Sequence, residues 1–138
     1  PAWQAFCLAQ DISPSAFRPF FATFPPLGVL PPGRLERVVV EVRSLEFGAN
    51  GLCQATLSNP SGECCAVFDP ACFDPSELPL SVLDLLDELR PVDCAPAGLL
   101  PFATGTVLEL TGAAAVCPAG GPPALLVTAA CLRSVYKA

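Results

Sequence analysis

The sequence predicts a mainly β fold. The expected form is a five-stranded barrel with a helical insertion between strands three and four and a helical, aromatic N-terminal extension. Three observations carry this. Asn59-Pro60-Ser61-Gly62-Glu63 lies between two β-rich runs, Gly51 to Ser58 and Cys64 to Phe68. Pro60 presets φ at the first central position of a turn, and Gly62 permits φ > 0 later in it. The chain is therefore expected to reverse there, in a hairpin with a five-residue connection. Further runs on either side of this hairpin have the length and apolar patterning of short strands. Finally, 17 prolines in 138 residues far exceed the usual share of about 5%, which keeps regular elements short and disfavours a long helical bundle.

The length supports one domain with a core of its own. With 52% apolar and 14% charged residues the chain is not a disordered tail. It starts at Pro1 and is read as a piece of a longer protein. No window reaches the roughly 18 apolar residues of a membrane span, and no charged segment precedes an apolar one as in a signal peptide. Neither a membrane nor a small-molecule substrate is expected as a partner.

Residues 1–33 form the extension. Trp3, Phe6 and Cys7 recur at helical spacing, so Ala2 to Gln10 is expected to be a short helix. Ser13-Pro14 is a helix start, with Ser as cap and Pro at the first position. Phe17, Phe20, Phe21 and Phe24 also repeat at helical spacing, but Pro19 is expected to interrupt a helix there. Pro25, Pro26, Pro31 and Pro32 read as an extended linker. The aromatics either pack this arm on the barrel or form a patch for a partner.

Residues 34–138 form the barrel domain. Arg37 to Phe47 is the strongest strand. Val38, Val40 and Val42 share one face, whereas Leu45 and Phe47 have the other parity. Such a switch predicts a bulge near Arg43-Ser44, or a strand that curls to serve two sides of a barrel. Gly48 to Gly51 is a turn. In the second strand Cys53, Ala55 and Leu57 face one way and Gln54 and Thr56 the other; the third strand ends at Phe68. A long connection follows, with an inserted part at 75–101. Within it Ser81 to Arg90 reads as a helix, with Val82, Leu85, Leu86 and Leu89 on one stripe. Asp84, Asp87 and Glu88 form its outer face, either solvated or a docking surface for a basic partner. Thr106 to Thr111 is the fourth strand, with Leu108 and Leu110 inward and Val107, Glu109 and Thr111 outward. Pro118 to Pro123 is a loop tip and Leu125 to Cys131 the fifth strand. Three strands, a helical connection and two strands is the element order of an OB-fold.

The same segments resemble one family. Asn59 to Glu63 is similar to the D-P-T-G-E turn in the C-terminal OB domain of the homologous recombination OB-fold proteins, cofactors of the MCM-like recombination helicase. Gly105 to Leu110 resembles that family's P-G-x-V-L-x-L strand, and Pro118 the proline after it. Leu125, Val127, Thr128, Leu132, Val135 and Tyr136 match its closing strand, and Pro1-Ala2-Trp3 resembles the P-A-W that opens the region. Asp69 stands where the family has a histidine, Thr111 replaces a lysine, and Leu126, Ala130 and Cys131 replace asparagines. The 75–101 connection exceeds the family's length. The resemblance implies a nuclear, non-catalytic domain. It would dock on MCM-type helicase subunits in homologous recombination and interstrand crosslink repair.

Residue chemistry narrows the alternatives. With no histidine, no G-x-S-x-G, no Walker loop and no metal-ligand cluster, no enzyme and no cofactor are expected. Zinc would need clustered ligands, and the chain has neither C-x-x-C nor histidine. The eight cysteines read as reduced, mostly buried thiols; a secreted disulfide-linked module is the alternative. A net charge of −6 disfavours an autonomous DNA binder. Weak single-stranded DNA binding is the competing function. Its candidate contacts are Arg34, Arg37, Arg43, Arg133 and Lys137, which otherwise read as solvated charges. Partner-contact candidates are Trp3, Phe6, Phe17, Phe20 and Phe21 of the arm and the acidic helix face.

Overall fold

The computed structural model describes residues 2–47, 52–69, 72, 104–117, 121 and 123–136. The turn expected at Gly48 to Gly51, the 75–101 insertion with Asp84, Asp87 and Glu88, and Lys137 lie outside them.

The fold is mainly β. Its strands are β1 (Gly33–Arg34), β2 (Val38–Phe47), β3 (Cys53–Asn59), β4 (Gly62–Phe68), β5 (Val107–Leu110), β6 (Ala114–Val116), β7 (Ala124–Val127) and β8 (Leu132–Tyr136). They form one mixed, curled sheet in the order β1-β6-β7-β4-β3-β2-β5-β8. All pairings are antiparallel except β4 with β7.

Among the described residues eight strands replace the five expected, for local reasons. The run expected as strand four ends at Leu110, and Gly112 then takes φ +72°, a region open to glycine at little cost; β6 starts afresh beyond it. The last run is divided by a 3-10 turn at Ala129–Cys131. The two breaks bond to each other, since Thr111 N donates to Cys131 O at 2.8 Å. β1 forms because Leu35 N donates to Ala113 O and Gly112 N to Leu35 O, which draws Gly33-Arg34 against β6.

The expected bulge is present. The β2–β3 register shifts between Val42 and Ser44. One extra residue there turns Leu45 back toward the side served by Val38, Val40 and Val42, and it packs on the same core. Cys53, Ala55 and Leu57 point inward as expected, joined from β4 by Cys64, Ala66 and Phe68.

The hairpin is tighter than expected. Asn59 pairs with Gly62, leaving a two-residue loop, Pro60-Ser61. Asn59 Oδ1 accepts from Ser61 N at 2.7 Å and its Nδ2 donates to Val39 O at 3.0 Å. Gly62 sits at φ +145°, a conformation that disfavours any side chain.

The arm is α1 (Ala2–Gln10) and α2 (Phe17–Phe21), with a 3-10 turn at Pro14–Ala16 between them. Ser13 occupies the cap position, but its hydroxyl pairs with that of Ser15 rather than capping. Pro19 does not interrupt α2. It sits in the first turn, where a backbone N–H has no helical acceptor to lose. The segment expected as a linker also differs. Leu27–Val29 forms a 3-10 turn, and Leu27 and Leu30 are buried in the main core. Leu27 N donates to Ser61 Oγ at 3.1 Å, so the β3–β4 turn anchors this segment.

A second, smaller core lies beneath the arm. Ala2, Phe6 and Phe21 cover Val39 and Val107. Val107 and Glu109 lie on the side opposite Leu108 and Leu110, as expected, yet all of β5 is buried, because the arm roofs its outer side.

Candidate binding face

Strand alternation decides what the outer face presents where no described residue covers it. Cross-strand pairing places one row as Glu46–Gln54–Val67–Leu126–Ala114–Arg34, running β2-β3-β4-β7-β6-β1. The adjacent row is Ser44–Thr56–Cys65–Ala124–Val116. A third is Glu41–Ser58–Glu63. The β2–β3 half is polar. The β4–β7–β6 half is apolar, and Leu126 and Val116 are among the exposed large hydrophobics, at 43% and 38% exposure. An open groove of about 340 Å³ lies over the polar half, lined by Ser44, Glu46, Gln54, Thr56, Cys65 and Val67 among others.

Among the described residues, no arginine, lysine or aromatic ring lines this groove. Arg43 borders it, but its Nη1 is 3.0 Å from Glu41 Oε2. Glu41 also accepts from Trp3 Nε1 at 2.7 Å. That ion pair cancels, so the remaining charge on the β2–β4 part of the face is negative, from Glu46 and Glu63.

The arginine candidates do not form a track. Arg37 pairs with Glu109, donates to Gln10 Oε1 at 3.2 Å and lies over the Phe20 ring at 5.4 Å. Its charge is thus occupied by the arm–sheet junction. Arg43 is six residues along the strand region from Arg37, roughly 20 Å at the rise of an extended chain. Arg34 stands at the far end of the first row, five strand spacings from Glu46, or roughly 24 Å along the curved sheet. Arg133 is exposed on β8, beyond β5 from β2.

The aromatic candidates are drawn together, chiefly with one another. Trp3 meets Phe6, Phe17 and Phe21 edge-on at 5.2–5.7 Å, and Phe6 meets Phe20 and Tyr136. Phe6 and Phe21 are buried, whereas Trp3, Phe17 and Phe20 are half-buried. A second hollow, about 290 Å³ and mainly apolar, opens among Trp3, Gln4, Cys7, Ile12, Pro14 and Phe17.

The seven described cysteines are free thiols. Burial pushes the Cys64 thiol up to about 12, with Cys65 adding to the rise. Burial does the same to Cys72, also to about 12, with the neighbouring Asp69 charge second. Burial likewise raises Cys53. Among the described residues there is no group of three or more potential metal ligands, and no helix is long and apolar enough to cross a membrane.

The outward positions of strand two were legible from alternation. Val67, Leu126 and Val116 were not, because their joint exposure depends on β6 and β7 lying beside β4. No family model matches the chain, and no curated protein matches it.

Proposed function

We propose that the chain is a non-catalytic OB domain that docks on an MCM-type heterohexameric helicase in the nucleus. There it recruits or activates the helicase in homologous recombination and interstrand crosslink repair. The OB reading takes β5 with β6 as one broken fourth strand and β7 with β8 as one broken fifth. The pairings then run one-two, two-three, three-five in parallel, five-four and four-one, returning to the starting strand. A ring of five strands with that pairing supports a small barrel of this class. The helicase partner rests on the resemblance of the Asn59–Glu63 turn and the Gly105 to Leu110 and Leu125 to Tyr136 runs.

The observation that carries docking over DNA binding is the groove lining. Single-stranded DNA needs aromatic platforms along a cationic track, and the described residues that line the groove over β2, β3 and β4 supply neither. A polar face merging into an apolar one, with depleted cations, is better suited to protein surface. The test is capture of purified MCM-type helicase subunits by this chain at physiological salt, beside titration of a labelled oligonucleotide at low salt. Helicase retention with weak or absent DNA binding is expected. Tight oligonucleotide binding without helicase retention overturns the reading in favour of a single-stranded DNA module.

A further inference from the structure

We infer that the face of β2, β3, β4 and β7 takes an extended peptide carrying two basic side chains four residues apart around an apolar one. The inference rests on the docking reading above and specifies the chemistry of the docked segment.

Two carboxylates flank β3, Glu46 from β2 within the groove lining and Glu63 from β4 beyond it. Glu46 stands opposite Gln54, and Glu63 opposite Ser58. Neither forms a salt bridge with a described residue, whereas Glu41 is held by Arg43 and Trp3. Gln54 and Ser58 are four residues apart on one strand, so the carboxylate-bearing rows are roughly 13 Å apart at about 3.3 Å per residue. An extended peptide has the same rise, and its residues i, i+2 and i+4 share a face. Cations at i and i+4 therefore fall beside Glu46 and Glu63. Residue i+2 then falls over the Ser44–Thr56–Cys65–Ala124 row, where an apolar side chain meets uncharged surface. Arg34 lies on the same outer face, but three strand spacings from Val67, roughly 14 Å. That exceeds the screening length of about 8–10 Å at physiological salt, so it does not cancel the two carboxylates. The charge of the face, the spacing of its ends and the character of its floor thus agree on one occupant.

The probe is a fluorescein-labelled nine-residue peptide with Lys at the third and seventh positions and Val at the fifth. Its binding is followed by anisotropy at low salt and by amide shifts. Saturable binding is expected below about 1 mM, with shifts confined to Gln54, Thr56, Cys65, Val67 and their neighbours. Because exposed ion pairs are individually weak, Glu46→Gln or Glu63→Gln is expected to weaken binding about threefold, and the pair about tenfold. A peptide with Gln in place of both Lys is expected to bind about tenfold more weakly as well. Equal binding by the Gln peptide, unchanged binding by the double variant, or no binding near 1 mM overturns the inference. Helicase capture undiminished by the double variant overturns it too, while leaving the docking reading standing. Peptide binding of the expected pattern without helicase capture upholds this inference and removes that reading.

Discussion

Replacing Phe6 with alanine tests the claim that the aromatic arm is part of the folded unit and not a free binding patch. Phe6 is 0% exposed and contacts Trp3, Phe20, Phe21 and Tyr136. Truncation to Ala withdraws roughly 150 Å² of buried apolar surface, worth about 4 kcal/mol at about 25 cal/mol per Å². This agrees with the roughly 3–5 kcal/mol found for buried Phe→Ala changes. The sole tryptophan, Trp3, lies in the same cluster, so its fluorescence follows the arm, while far-UV circular dichroism follows the sheet. With a urea dependence of roughly 2 kcal/mol per M, Phe6→Ala is expected to lower the Trp3 midpoint by about 2 M. Leu8→Ala is the internal control. That side chain is 83% exposed on the same helix, and a change within about 0.5 kcal/mol is expected. A Phe6→Ala midpoint no lower than that of Leu8→Ala would refute the packing argument.

Three further outcomes follow from individual residues. Arg37→Ala leaves the Glu109 side chain, 8% exposed, without its cation and is expected to cost roughly 2–3 kcal/mol in urea unfolding; the Arg37→Leu/Glu109→Leu double variant should cost less than that single change. Gly62→Ala forces a side chain onto φ +145° and is expected to lower stability by about 1–2 kcal/mol, read as a drop in thermal midpoint. Cys65 and Cys117 are exposed whereas Cys64 and Cys72 are buried and raised to about 12. A thiol reagent at neutral pH should therefore label the first pair rapidly and the second only on unfolding. Since the folded values of Cys64 and Cys72 exceed the ordinary 9.0, the unfolded chain loses those protons first. Stability should then fall as pH rises from about 9 toward 12, a trend that Cys64→Ala/Cys72→Ala flattens.

The sequence exposed those parts of the fold that depend on neighbours along the chain. Helix α1 follows from the spacing of Trp3, Phe6 and Cys7. The bulge follows from the parity change between Val42 and Leu45, and the inward set of β3 from simple alternation. What escaped depends on distant segments. Val107 and Glu109 alternate like outward residues, and only the arm folding across β5 buries them. Leu27 and Leu30 sit among prolines that suggest a linker, yet Ser61 and β4 provide the surface that takes them into the core. Pro19 looks like a helix breaker until its place in the first turn of α2 is known. The binding face was half legible. Gln54 and Thr56 stand out from alternation within one strand, but the apolar half requires the parallel β4–β7 pairing, which brings together residues about 60 positions apart.

The most direct measurement is the affinity of a purified MCM-type helicase for this chain, wild type beside Val67→Arg. Val67 joins the polar and apolar halves of the face and is only partly buried. A cation there should be tolerated by the fold, as circular dichroism would verify, while opposing a basic partner. Retention of the helicase by wild type and at least a tenfold loss with Val67→Arg are expected. Retention that is equal for both proteins, or absent for both, would contradict the docking reading.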